Sequence, residues 1–530
     1  MTGRLCPFIL SAAGALVFSA AHPGLVFPDG AGFAGWLLYV PVLFAVRASG
    51  SFARSAAAGF LYGALSYGLY AFWLARFSPA AFTAVCLFCG ATLAAVFVVL
   101  RFCGNRFGGA AWIIQWLVLC SYEYTKTLGF AGFGYGVTAY TQWRYTSLIG
   151  ICDITGVFGL NMLVIFSSAL LFRVSLPLIS GHGFRRISPS LVVSASLWGI
   201  LVAGALIYGK MSSGRFAGSQ TVGVAAVQNN EDPWKSGAEV YRENIQRLIS
   251  LTEEAVALNP DTAIVVWPET AVVPPVVFHY YSEGDARRHA IAAALLDYMD
   301  SRNQVFVIGN SHRVVSAGGD VSNFNSALVF VPGENTVPPE PYIYSKTHLV
   351  PFTETFPFYD VFPPVRKMAE RLDAHLWTPG KDTAVFSCAG LRFSTPICFE
   401  DTFTSVCRKM RLAGSGCFVN LSNDSWASSG ACQRQHLSMA VFRSVENRVP
   451  SVRSTSSGVT CMIDPDGNVT EAAPPFTMSF VAGRVPVVSG SPGFYTRHGD
   501  YMGILCAAFV SVLLLIKLFA VIIARYVRSE

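Results

Sequence analysis

The chain has 530 residues, of which 52% are hydrophobic and only 13% are charged. Mean hydropathy is +0.46. A charged share about half that of an ordinary soluble domain excludes a single soluble globule, and the apolar content excludes disorder.

The charges are unevenly spread. Residues 1–210 carry twelve Lys/Arg and three acids: Asp29, Glu123 and Asp153. Residues 211–499 carry 23 Lys/Arg and 27 Asp/Glu, a net of −4. A nucleic-acid binder needs a basic patch on its polar domain, and this polar domain is mildly acidic, so nucleic acid is not an expected partner. Of thirteen cysteines, six fall between 388 and 461. The CxxC pair Cys86 and Cys89 lies in an apolar run without polar ligands, so no metal site is expected.

A helix needs about 20 apolar residues to cross ~30 Å of hydrocarbon. Seven segments before residue 210 qualify, at about 5–21, 31–47, 55–75, 80–101, 110–129, 155–176 and 189–208. An eighth covers about 502–524. Residues 5–21 also have the form of a signal peptide, but six further spans follow, and the segment is expected to stay. With the N-terminus in the cytoplasm, the inner loops receive Arg4, Arg47, Arg54, Arg101, Arg106, Arg173, Arg185, Arg186, Arg525 and Arg528. The outer short loops receive only Arg76 and Arg144, with Lys126 near a span end. The positive-inside bias therefore places both termini in the cytoplasm and 210–500 outside it. Glu123 in SYEYTK reads as an interfacial carboxylate or a partner for Lys126. Lys517 reads as snorkelling or paired inside the bundle.

The segment between spans seven and eight is long enough for one sizeable core. Strand patterns at 221–228, 262–269, 304–311, 325–332, 391–400, 417–424, 459–469 and 478–487 alternate with helical ones at 238–258, 286–302, 402–413 and 432–448. Near-continuous apolar strands imply sheets covered on both faces, hence a layered α/β domain. The expected division is a membrane domain over 1–210, a catalytic domain over 211–487, and a linker with the eighth span over 488–530. The Pro-rich stretches 332–341 and 351–364 read as loops over a site.

Three features carry possible chemistry. Glu269 ends an apolar strand in VVWPET, where α/β sheets build sites. Lys346 precedes an apolar segment in YSKTHLVPFTE, with His348 as a nearby alternative base. Cys398 ends STPICFE before a helix, a position where a thiol is activated by helix amides and a cation. Together they give a nucleophile, a base and an oxyanion stabiliser, with the Phe399 N–H as a second donor.

At these residues the chain resembles the nitrilase superfamily, whose triad is Glu–Lys–Cys. With its membrane frame it resembles the bacterial apolipoprotein N-acyltransferase family. The resemblance implies eight spans and an extracytoplasmic nitrilase-like αββα domain in the inner membrane. Motif by motif, WPE implies a base at Glu269. SKTHLVPFTE implies a lysine at Lys346 and a supporting Glu354, and ICFE implies a nucleophile at Cys398 with Glu400 beside it. NSALVF implies a site-lining Asn325, NDSW an arm residue Trp426, and EDPWK a site tryptophan, Trp234. RSTSSGVTCMIDPDG resembles a further run of the family. Phe399 stands where the family usually has Tyr, ASSG at 427–430 replaces an FGDS-like stretch, and SYEYTKT replaces an EWxR pattern.

The implied reaction moves an sn-1 acyl chain from a phospholipid, typically phosphatidylethanolamine, through a thioester on Cys398. The acceptor is the α-amine of the S-diacylglyceryl cysteine of a lipoprotein. No metal or organic cofactor is implied. The alternatives are a membrane-anchored amidase hydrolysing C–N bonds, a Cys–His hydrolase using His348 or His436, and a lipid-binding protein with a decayed site.

Overall fold

The computed structural model describes residues 4–529 apart from 131, 180–187, 232–234, 283, 317, 357–362, 365–366 and 368–375. The chain divides into two compact units, Met1–Ser213 with His498–Glu530, and Gly214–Arg497.

The first unit is helical. Its main elements are α1 (Cys6–Ala21), α2 (Val40–Ala48), α3 (Phe52–Tyr70), α4 (Pro79–Arg106), α5 (Ala111–Thr125), α6 (Cys152–Ile179) and α7 (Pro189–Ser212). The C-terminal helix Tyr501–Ser529 belongs to the same unit. Each of the eight apolar segments falls on helix. Among the described residues four helices, Pro79–Arg106, Cys152–Ile179, Pro189–Ser212 and Tyr501–Ala524, are long and apolar enough to cross a membrane. Val193, Ile200, Leu201, Phe509, Ile516 and Phe519 stand exposed on α7 and the C-terminal helix. Such uncovered apolar faces mark this as a membrane protein. Helices α3 and α4 pack backbone to backbone. A Cβ at Gly63 would lie 2.3 Å from the Cys89 carbonyl oxygen, and one at Gly59 would lie 2.6 Å from that of Leu93. Small residues four apart are what allow this approach.

Glu123 is fully buried. It accepts hydrogen bonds from the Tyr39 hydroxyl, the Thr138 N–H (2.8 Å) and the Thr138 hydroxyl (2.6 Å). Lys126 Nζ donates instead to Tyr67 Oη and the Gly136 carbonyl, each at 3.0 Å. The two side chains, less than a turn apart on the chain, tie down neighbouring points of one loop. Lys517 Nζ lies 5.4 Å above the Phe107 ring, a contact inside the unit.

Among its described residues the second unit has the strands β1 (Thr221–Gln228), β2 (Thr262–Val266), β3 (Val305–Val315), β4 (Val321–Phe330), β5 (Tyr342–Ser345), β6 (Phe386–Cys388), β7 (Leu391–Phe393), β8 (Phe418–Ser422), β9 (Ser451–Thr455), β10 (Cys461–Ile463), β11 (Val469–Ala472) and β12 (Ser479–Pro486). A six-stranded sheet runs β12-β1-β2-β3-β4-β5 and a four-stranded one β11-β10-β9-β8. Strands β1, β2 and β3 are parallel, as are β8 and β9. Val222, Val224, Ile264, Val266 and Val307 pack in one core with Phe418, Leu421, Val452 and Met462 of the other sheet. The alternate residues Val227, Val265, Trp267 and Phe306 face a second core with α8 (Ala238–Leu258) and α9 (Ala286–Asp300). The apolar runs of β1 and β2 thus bury both faces, as parallel strands between layers do. Two further helices follow the segment carrying Cys398, α10 (Thr404–Leu412) and the almost wholly buried α11 (Gly430–Asn447). The C-terminal helix is accordingly α12.

Two expectations need correction. The strand expected over 391–400 forms a ladder only at β7; beyond it, single bridges join Ser394 to Phe418 and Ile397 to Leu421. Pro396 has no N–H to give, and Cys398 leaves extended space at φ +52°, so regular pairing stops. The β3–β4 hairpin is longer than its apolar runs, paired from Phe306↔Phe330 out to Val315↔Val321. Its outer end is solvated, and hydrophobic patterning does not register it. Every cysteine is a free thiol.

Candidate active site

Three chain segments bring the predicted triad together. Glu269 follows β2 and is 6% exposed; Lys346 follows β5 and is 1% exposed. Cys398 opens a single 3₁₀ turn, Cys398–Thr402. Its positive φ is a strained conformation for a non-glycine residue, of the kind that clusters at functional sites.

Lys346 Nζ lies 2.9 Å from Glu354 Oε1 and 3.3 Å from Glu269 Oε1. Asn325, on β4, donates to Glu269 Oε1 at 2.8 Å, and the Asn423 N–H reaches Glu269 Oε2 at 2.9 Å. All three contacts of Glu269 are donors, the pattern of an acceptor-only carboxylate. The Val350 N–H holds Glu354 Oε2 at 2.7 Å. Backbone bonds fix the lysine itself: Lys346 N–H to Asn325 O, and Gly380 N–H to Lys346 O, both 2.8 Å. A lysine needs this much support to remain charged inside a protein. Burial alone would depress its ammonium, but the carboxylates of Glu269 and Glu354 more than reverse that and hold it well above its ordinary value.

The Cys398 thiol is raised well above its ordinary value, first by burial and then by the charge of Glu269, against which Lys346 pulls it down. It rests as a thiol. The Phe399 N–H makes no hydrogen bond among the described residues and is a free donor beside the sulfur. The Phe399 ring packs edge-on against Phe403 at 4.7 Å, an apolar use of this position.

Glu400 does not join the lysine cluster. Fully buried, it accepts from the Tyr344 hydroxyl (2.9 Å), the Thr347 N–H (2.8 Å), the His348 N–H (3.0 Å) and the Ile397 N–H (2.9 Å). It ties the segment carrying Lys346 to the turn carrying Cys398. Trp426 is half-buried in the Ser425–Ala427 turn, three residues after Asn423. Trp234 lies outside the described residues.

Motif reading missed a second buried network near Cys398. His436, on α11, has Nε2 2.7 Å from Asp401 Oδ1 and Nδ1 3.3 Å from Asp424 Oδ1. Asp401 also pairs with Arg453, and the Ser422 hydroxyl donates to Asp424 at 3.2 Å. The signal for this network was the polar run SNDS following a fully buried strand. With both ring nitrogens facing aspartates, His436 makes no bond to Cys398. His348 packs its ring on Phe403, and burial depresses its imidazole below the ordinary value. Neither arrangement favours a Cys–His pair. Among the described residues no cluster of metal-ligating side chains occurs.

Comparison with known proteins gives two family matches. Residues 223–488 match carbon-nitrogen hydrolase, and 13–170 match the apolipoprotein N-acyltransferase N-terminal domain. The second unit therefore has the nitrilase-like carbon-nitrogen hydrolase fold. Saccharomyces cerevisiae Nit3, a member of branch 10 of the nitrilase superfamily, aligns at a TM-score of 0.37 with 17% identity, over 50% of this chain and 90% of that one. Apolipoprotein N-acyltransferase 1 of Treponema denticola is 34% identical over 98% of this chain and 97% of its own length. The Treponema pallidum protein of the same name is 38% identical over 96% and 95%. On near-complete coverage at this identity, the chain belongs to the apolipoprotein N-acyltransferase family.

Proposed function

We propose that the protein is an N-acyltransferase that moves an sn-1 acyl chain from a phospholipid to the α-amine of an S-diacylglyceryl cysteine at a lipoprotein N-terminus. The observation that carries the mechanism is the buried Lys346 ammonium between Glu269 and Glu354, beside a thiol on a strained turn. In this reading Cys398 Sγ attacks the ester carbonyl carbon as its proton passes to Glu269. A thiol held protonated at rest suits a step in which deprotonation and attack occur together. The lysine ammonium has three N–H donors. Two serve Glu269 and Glu354, which leaves one for the oxyanion, joined by the Phe399 N–H. The tetrahedral species collapses, Glu269 returns its proton to the departing lysophospholipid oxygen, and an acyl thioester remains. The lipoprotein amine then attacks the thioester, Glu269 takes a proton from that amine, and the amide leaves as the sulfur is reprotonated. Asn325 and the Asn423 N–H aim Glu269, Glu354 aims Lys346, and Glu400 sets the spacing between lysine and cysteine. Trp426, and Trp234 by its motif, border the substrates.

Eight spans, both termini in the cytoplasm and the catalytic domain on the periplasmic face of the inner membrane complete the reading. It is supported by the distribution of arginine in the short loops. Both substrates are lipids, which gives a polytopic frame a purpose that hydrolysis of soluble amides lacks.

The test is to incubate the purified protein with phosphatidylethanolamine and no acceptor, then map adducts by mass spectrometry. A hydroxylamine-labile fatty acyl group on Cys398, discharged by a diacylated lipopeptide, is the expected result. Folded protein that acylates the lipopeptide with no adduct on Cys398 would overturn the thioester route. Ammonia release from amides without acyl transfer would favour the amidase alternative.

A further inference from the structure

A second cationic site lies away from the triad. Arg411, at the end of α10, is 5% exposed. Its Nη1 donates to the Ser415 carbonyl at 2.8 Å and its Nη2 to the Gly490 carbonyl at 3.2 Å; its Nε has no partner. Among the described residues it makes no ion pair. Neutral carbonyls satisfy the geometry of a guanidinium but leave its charge uncompensated, and burial accordingly depresses Arg411 below its ordinary value.

Arg411 lines a cavity of about 310 Å³ together with Gly390, Arg392, Gly414, Ser489 and Gly490. Arg392 is exposed and likewise has no ion pair among the described residues. Gly414 admits its guanidinium: a Cβ there would stand 2.8 Å from Arg392 Nη2. The N–H groups of Ser489 and Gly490 make no hydrogen bond among the described residues, so the rim carries unused donors. The three stretches that line the cavity, 390–392, 411–414 and 487–492, hold Arg392 and Arg411 and no Asp or Glu.

We propose that this cavity is an anion subsite that takes a phosphate group, carried by a lipid headgroup or free in solution. Arg392 offers a planar fork to two phosphate oxygens. The Ser489 and Gly490 amides, with the Ser489 hydroxyl, meet the others, and Arg411 supplies fixed charge behind them. The site is separate from the triad and does not depend on the acyl-transfer reading.

The test uses the full-length protein in non-ionic detergent. Tm is followed against inorganic phosphate, with chloride at matched ionic strength as control, and retained phospholipid is counted by native mass spectrometry. Arg392→Gln and Ser489→Ala are the variants, and both leave Cys398 acylation at the wild-type level. A saturable rise in Tm that weakens about ten- to a hundredfold in Arg392→Gln, and less in Ser489→Ala, identifies a free-phosphate site. One more retained phospholipid in wild type than in Arg392→Gln, competed away by phosphate, identifies a lipid headgroup as the source. The same phosphate response and the same retained lipid in wild type and Arg392→Gln would overturn the proposal.

Discussion

Lys346 shows what burial does to a single residue. Its charge is sustained by two carboxylates, so removing the lysine leaves both of them buried without their cation. Lys346→Met is expected to abolish acylation and to lower stability by about 3–5 kcal/mol, read from the denaturation midpoint, because two neighbouring buried carboxylates lose their cation. Glu269→Gln separates two effects of opposite sign. Acylation of Cys398 is expected to fall by about a hundredfold or more with loss of the base. Alkylation of the same thiol by iodoacetamide is expected to quicken at fixed pH, because a charge that raises the thiol is gone. Slower alkylation in that variant would contradict the assigned electrostatics. In wild type, alkylation is expected to rise about tenfold per pH unit through neutrality without levelling by pH 9, since the thiol titrates above its usual range. Stability carries the same sign. The folded state keeps protons on Cys398 and Lys346 that the unfolded chain releases above their usual values. Their contribution is full at neutral pH and declines as pH climbs past those values.

At the scale of elements, the site is a set of tethered loops at strand ends. β2 delivers Glu269, β5 delivers Lys346, and the broken continuation of β7 delivers Cys398. Glu400 joins two of these. The NDSW turn after β8 joins a third, through the Asn423 N–H on Glu269. α11 braces that turn against the nucleophile turn, with His436 between Asp424 and Asp401. His436→Ala is expected to lower the Cys398 acylation rate about ten- to a hundredfold with little change in lipid KM. It would cost roughly 1–3 kcal/mol of stability, because a buried carboxylate loses a partner. Equal losses in KM and rate would mean that the histidine contacts the lipid instead. Much of this was readable in advance. Both faces of β1 and β2 are apolar in sequence because both are covered in the fold. Less readable was the end of the strand at 391–400, where Pro396 and a backbone turn override an apolar pattern.

For the whole molecule, the arginine distribution makes a prediction about sidedness. Arg287, exposed on α9, and Arg54, exposed on α3, stand on opposite sides of the bilayer in the proposed topology. With the half-buried Cys6, Cys86 and Cys388 replaced by serine, Arg287→Cys is expected to react with a membrane-impermeant maleimide in intact spheroplasts. Arg54→Cys is expected to react only after lysis. Labelling of both before lysis would refute the orientation.

Composition and spacing determined the class of this protein. Apolar segment length follows from bilayer thickness and strand patterning from two-sided burial, and both are local properties that a sequence displays directly. The motifs around Glu269, Lys346 and Cys398 point to the proposed chemistry for the same reason, since each is a short run of consecutive residues. The partners of those side chains were settled by tertiary structure alone. Glu123 reads as an interfacial carboxylate or a partner for Lys126 until Tyr39 and Thr138 close around it, and only the fold brings Asp401 and Asp424 to the two ring nitrogens of His436. The four partners lie 84, 15, 35 and 12 positions away along the chain, and hydrogen bonds across such separations leave no periodic trace in it.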